Sequence, residues 1–246
     1  MAATVRLTGL SPIGVRVDAE PGQDVRALPV DELRELARTR LVVLLRGFTG
    51  PADPEELARW ADGWGSPGPV LDSDEEPDGG RVPIHWDGLG HPEIPEFQIF
   101  ACVRSGSGGH TTFTDTARLA ADADPGTLRR WRSVSVTYRV RGTGARTPVV
   151  AAHPVHGTPV LRFHEPADED SPLAGWPDHQ FDGLPAEAVP GFLGELRAAL
   201  RDPKYQYVHA WQEGDFLIAD NHTLLHGRES GAAGRHLRRV HILTPH

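Results

Sequence analysis

The chain has 246 residues, 39% of them hydrophobic, and a formal net charge of −9, enough for a sizeable core in one large β-rich domain. With no basic run and an acidic balance, nucleic acid and anionic membrane surfaces are excluded as expected partners, leaving a small-molecule ligand. Cys102 is the only cysteine, which excludes an intramolecular disulfide and cysteine-rich zinc or iron–sulfur centres.

Gly (27) and Pro (22) together make up about a fifth of the chain, which favours many turns and short strands over a helical bundle. The longest apolar runs, such as LVVLL at 41–45, are too short to span a bilayer. The N-terminus lacks a basic segment followed by an apolar one, so a cytoplasmic protein with no membrane partner is expected.

Residues 1–28 alternate weakly and suit one or two opening strands. Leu33, Leu36 and Ala37 have the spacing of a short amphipathic helix over 30–39, and LVVLLRG at 41–47 reads as a buried strand. Asp53, Pro54 and Glu56 then signal a helix start, as cap, first-turn proline and capping-box acid. Its apolar face, Leu57, Trp60, Ala61 and Trp64, reads as a core stripe. The stretch LDSDEEPDGG at 71–80 is acidic and turn-rich. A mobile loop and candidate lid is expected there, rather than a metal site made of Asp72, Asp74, Glu75 or Glu76.

RVPIHWDGLG follows, with His85 and Asp87 two residues apart at what reads as a strand end. Successive strand side chains alternate, so residues two apart project together, and an imidazole and a carboxylate converge. Trp86 then packs behind them. PEFQIFACVRS places Phe97, Ile99, Ala101 and Val103 on one face of a strand, and a Gly-rich turn leads to Thr111, Thr112 and Thr114. Two short helices over 116–122 and 126–131 precede SVSVTYRVR, a strictly alternating strand. Further strands are expected near 148–152, 158–164, 205–211, 214–219 and 236–243, with a helix near 190–201 that stops before Pro203. The pattern is mainly β with flanking helices. It suits a double-sheet jelly-roll barrel, taken as one domain over residues 1–246.

A metal site needs a third ligand, and His226, after the strand-like run in GDFLIADN and a turn, supplies it 139 residues beyond Asp87. Two His and one Asp are the ligand set of non-haem Fe(II) oxygenases, which leave three positions open for co-substrate and O2. The chain has thirteen histidines, and the others, including His91, His153, His156, His164, His179, His209 and His222, read as surface or hydrogen-bonded core residues. In RHLRRVHIL, period two puts Arg235, Leu237, Arg239 and His241 on one face and His236, Arg238 and Val240 on the other. A buried guanidinium beside a metal suits the far carboxylate of 2-oxoglutarate, which its planar fork binds bidentately. Arg162 in VLRFHEP has two readings, a contact to a substrate carboxylate or a salt bridge with Glu165.

The ordered set HWDG, GGHTTFTDT, GDFLIADNHTLLHGR and RHLRRVHI resembles the Fe(II)/2-oxoglutarate-dependent oxygenases of the taurine dioxygenase family, over roughly residues 30–244. The resemblance implies a double-stranded β-helix (the cupin-like barrel), His85, Asp87 and His226 as iron ligands, Thr111 as a hydroxyl contact to 2-oxoglutarate and Arg235 as its salt-bridge partner. Arg239 matches a position that in some members meets an anionic substrate. The interval from His226 to Arg235 is shorter than is usual in the family, which keeps Arg238 and Arg239 as alternative anchors. Within the family the motifs look most like the branch that modifies amino-acid-derived metabolites in isonitrile and related natural-product pathways. The implied activity is oxidation of a small, anionic substrate coupled to conversion of 2-oxoglutarate to succinate and CO2. The competing reading is a cupin-like isomerase or cosubstrate-free dioxygenase on the same barrel. Homo-oligomerisation is left open.

Overall fold

The computed structural model describes residues 6–74, 80–90, 93–140, 143–168, 177–231 and 233–244. In chain order the strands are β1 (Arg6–Gly9), β2 (Val15–Asp18), β3 (Val42–Arg46), β4 (Ser66–Pro67), β5 (Leu71–Asp74), β6 (Val82–His85), β7 (Phe97–Arg104), β8 (Thr111–Asp115), β9 (Ser135–Val140), β10 (Thr143–Pro148), β11 (Val150–Ala152), β12 (Pro159–Leu161), β13 (Asp178–Asp182), β14 (Gln206–His209), β15 (Phe216–Asp220), β16 (Leu224–Arg228) and β17 (His236–Leu243). The helices are α1 (Val30–Arg40), α2 (Pro54–Asp62), α3 (Thr116–Asp122), α4 (Pro125–Arg132) and α5 (Val189–Leu200).

Two sheets carry the site. The larger runs β1-β2-β3-β15-β7-β17-β4, with β5 also on β17, and the smaller runs β14-β8-β16-β6. Period-two alternation decides what lies between and outside them. On β7, Phe97, Ile99 and Ala101 join Leu57, Trp60 and Trp64 in an outer core under α2. Phe100 and Cys102 of the same strand join Phe113, Tyr207 and Leu224 of the smaller sheet in an inner core. A third core packs Ile84 and Leu225 against Trp131, Phe192, Leu196 and Leu200 of α4 and α5. The smaller sheet is therefore covered on both faces.

Sequence signals for α2 hold in detail. Asp53 accepts the Glu56 N–H at 2.8 Å, Pro54 occupies the first turn, and the Trp60 and Trp64 rings meet edge to face. The 71–80 expectation needs correction, because Leu71–Asp74 is a strand rather than a loop. It pairs antiparallel with β17, the Ser73 hydroxyl donates to the Leu237 carbonyl at 2.8 Å, and the Asp72 carboxylate accepts from His236 and Arg238. Those cross-strand partners lie 164–166 residues away, outside any local pattern, and they outweigh the poor strand propensity of Asp and Ser. Residues 75–79 of that stretch lie outside the described residues. Short strands β4 and β13 were also unsignalled, and the expected 158–164 strand closes at Leu161. Among the described residues no helix is long and apolar enough to cross a membrane.

Candidate metal and co-substrate site

β6 ends at His85, and Gly88, at φ +117°, turns the chain so tightly that a Cβ there would lie 3.2 Å from the Ile94 Cα. His226 follows strand β15 and the turn at 221–223, as expected, and sits inside β16 as the antiparallel register partner of His85. The pairing brings the two rings to 4.2 Å between centroids and sets Nε2 of His85 and of His226 3.6 and 3.7 Å from the Asp87 carboxylate oxygens. One ligand atom from each residue lies within 4.8 Å of the others, the only such group of His, Cys, Asp and Glu among the described residues. His91 lies outside them.

The donor set fits a divalent metal. His85 Nδ1 lies 2.8 Å from the Pro83 carbonyl, which only accepts, so Nδ1 carries the proton and Nε2 presents its lone pair to the cluster. Burial, and then the neighbouring His85, hold the His226 imidazole well below its ordinary range and therefore uncharged. Burial opposes the charge on Asp87, but the hydrogen bond from His241 and the nearby Arg239 guanidinium hold its carboxyl well below the usual carboxylate range. Two neutral imidazoles and one carboxylate are what such a cation requires.

Arg239, expected to meet a substrate or co-substrate anion, and several residues that sequence reasoning gave no role complete this cluster. Oδ2 of Asp87 accepts from His241 Nε2 at 2.7 Å, from Arg239 Nη1 at 2.9 Å and from the Gln98 amide. The Asn221 side chain holds the Asp87 main chain. Gln98 left a usable signal, as the one polar side chain in the apolar run FQIFAC. The His164 ring packs on His85 with centroids 4.8 Å apart.

Two cavities meet at the cluster. One of about 350 Å³ is lined by His85, His226, Thr111, Arg235, Ser73 and Arg239. In it Arg235 Nη1 donates to the Gly109 carbonyl at 2.6 Å and lies 3.4 Å from Thr111 Oγ1, which also accepts from Trp211 at 2.8 Å. Arg238 lines neither cavity; it donates to the Ala52 carbonyl and Asp72 on the other face, as period two requires. The second, of about 550 Å³, is lined by His85, Asp87, Trp86, His164, Arg239 and His241. Trp86 is 3% exposed and meets Tyr138 edge to face at 5.8 Å, so it packs behind the site and also walls the cavity.

Arg162 lines a third cavity of about 630 Å³ that shares Trp86, Gly88 and Leu89 with the second. Its alternative reading, the pair with Glu165, does not form. Glu165 instead accepts from Arg81 and Arg201 and pairs with Arg197 at 2.9 Å, while the Arg162 guanidinium turns to the His222 carbonyl.

Residues 6–241 match the family described as taurine catabolism dioxygenase TauD, TfdA, and the chain belongs to that family. It is an Fe(II)/2-oxoglutarate-dependent dioxygenase, which sets aside the cosubstrate-free alternative. It is similar to the tyrosine isonitrile desaturase of Pseudomonas aeruginosa, at 39% identity over 90% of this chain and 84% of the relative. The 3-((Z)-2-isocyanoethenyl)-1H-indole synthase of Fischerella ambigua is 35% identical, over 98% of this chain and 97% of its own length. Among solved structures, PvcB, described as an Fe, α-ketoglutarate-dependent oxygenase from an isonitrile synthetic pathway, superposes with a TM-score of 0.84 at 38% identity, covering 97% of this chain and 91% of its own.

Proposed function

We propose that the chain is one cytoplasmic oxygenase domain on a jelly-roll fold that desaturates the isonitrile of an aromatic amino acid. The convergence of His85, Asp87 and His226 in register on neighbouring elements, with Thr111 and Arg235 in the adjoining cavity, carries this reading. The similarity to an isonitrile desaturase and an isocyanoethenyl-indole synthase supports the substrate class.

In this reading His85, Asp87 and His226 hold Fe(II), and Arg235 and Thr111 receive the distal carboxylate of 2-oxoglutarate in the smaller cavity. The bound iron supplies the capacity to use O2 for the coupled oxidation of 2-oxoglutarate and substrate. The chain's own residues orient the reactants. Arg239 and His241 hold one oxygen of Asp87, which leaves the other turned to His85. The Thr111 hydroxyl accepts from Trp211, which fixes the oxygen that a co-substrate carboxylate would meet. The substrate occupies the larger cavity between Trp86, His164 and Arg239, whose apolar walls exclude water from the C–H bond that reacts.

The test is an anaerobic titration of the apoprotein with Fe(II) and 2-oxoglutarate, expected to give one equivalent of bound iron and a weak visible band, followed by product analysis with the isonitriles of tyrosine and tryptophan. His85→Ala, Asp87→Ala and His226→Ala should each abolish the band. Undiminished iron affinity in all three variants would overturn the site assignment, since no three-ligand set loses a ligand without penalty.

A further inference from the structure

We propose that Arg162 holds the substrate's carboxylate, from a cavity next to the metal cavity; this rests on the reading of the substrate as an amino-acid-derived acid. The observation is a buried cation without an anion. Arg162 is 2% exposed, yet its guanidinium donates only to two carbonyls, those of Leu161 and His222. Among the described residues no carboxylate forms an ion pair with it; Asp220 acts on it only through space. Burial pulls its pKa down to about 10, in keeping with a charge whose desolvation the distant Asp220 offsets only in part. A guanidinium has five N–H donors, so most of the fork is left for a ligand.

The surroundings suit such a ligand. The cavity of about 630 Å³ places Arg162 among Gly144, Ala145, Ala151, Ala152 and Ile94, small apolar walls that would accept a carboxylate attached to a hydrocarbon stem. A shared wall links this subsite to the metal. Trp86, Gly88 and Leu89 line both the Arg162 cavity and the cavity that holds His85 and Asp87, so one amino-acid-sized molecule can reach from the guanidinium to the cluster. The other guanidiniums near the cluster are engaged: Arg239 by Asp87, and Arg235 by the co-substrate in the proposed function.

The step is one of binding and orientation, and its test needs no turnover. Binding of 3-(4-hydroxyphenyl)propanoate and of its primary amide to the Fe(II)- and 2-oxoglutarate-loaded protein is measured anaerobically by thermal shift and titration. The wild type should prefer the acid by about a hundredfold, the scale of a buried charge pair. Arg162→Met should lose that preference while keeping its affinity for the amide, and Arg162→Lys should recover part of it. Equal affinity of the wild type for acid and amide would overturn the proposal, as would an undiminished preference in Arg162→Met. Because the probes carry no isonitrile, these outcomes are independent of whether the tyrosine isonitrile is turned over. If Arg162→Met fails to fold, Arg162→Gln replaces it with the same two outcomes.

Discussion

The Asn221 side-chain amide clasps the main chain of Asp87 from both sides. Its oxygen accepts the Asp87 N–H at 3.0 Å, and its nitrogen donates to the Asp87 carbonyl at 2.9 Å and the Pro95 carbonyl at 2.9 Å. Asn221 directly follows β15 and opens the turn into β16, which bears His226. One residue thus ties the loop with the carboxylate to the strand with the distal imidazole. Asn221→Ala leaves three main-chain groups without their partner, and iron affinity is expected to fall about 10–100-fold, the usual effect of removing support behind a ligand. Asn221→Asp should be worse, because a carboxylate would face two carbonyl oxygens. An iron titration checks both, and wild-type affinity in Asn221→Ala would mean that the strand ends alone place Asp87.

Arg235 and Thr111 line the smaller cavity together. Arg235→Ala is expected to raise the KM for 2-oxoglutarate by two to three decades, with little change in iron affinity, since a lost charge-assisted pair costs about 3–5 kcal/mol. If Arg239→Ala gives that signature and Arg235→Ala does not, the anchor is the other arginine. Arg239→Ala should instead act on iron affinity, because Arg239 holds Asp87.

Glu165 is 1% exposed, and its carboxylate accepts from Arg81, Arg201 and the Ile84 N–H while pairing with Arg197. The Ile84 main chain is held twice, since its carbonyl accepts the Glu165 N–H at 2.8 Å, and Ile84 immediately precedes His85. Glu165→Ala leaves Arg197 and Arg201 without their carboxylate and Arg81 with Asp168 alone, and each of the three guanidiniums is about a third solvated. Full burial would make the loss about 3–5 kcal/mol, and solvation reduces it to about 2–3 kcal/mol. Urea denaturation of the apoprotein measures it, and a loss under about 0.5 kcal/mol would class the cluster with ordinary surface pairs.

Burial raises the Asp220 carboxyl from 3.8 to about 7. A raised folded pKa means that the native state holds a proton the unfolded chain has released, so stability falls as pH rises from about 4 to about 7 and levels off above. A shift of that size corresponds to at most about 4 kcal/mol. Asp220→Asn should therefore flatten the pH dependence, matching wild type near pH 4 and exceeding it near pH 8. Parallel wild-type and Asp220→Asn curves from pH 4 to 8 would show that Asp220 does not drive it.

Local chemistry made much of this protein legible in one dimension. The Asp53 cap, the Leu57 to Trp64 stripe, and the alternation of β7 and β17 each depend on neighbours within a few residues, so α2 and these strand faces could be read directly. The spacing of His85 and Asp87 is likewise local. That His226 is the cross-strand partner of His85, and that β5 is a strand at all, depended on pairing over 141 and 162–168 residues, which no periodicity records. The supporting contacts of Asn221 and His241 are of the same kind, and so is that of Gln98 apart from its polarity in an apolar run: each acquires a role only where the sheets bring it to Asp87. Arg162 shows the limit most clearly. The sequence left it between a ligand contact and a pair with Glu165, and tertiary packing separated the two, by bringing Arg81, Arg197 and Arg201 to Glu165 and the His222 carbonyl to Arg162.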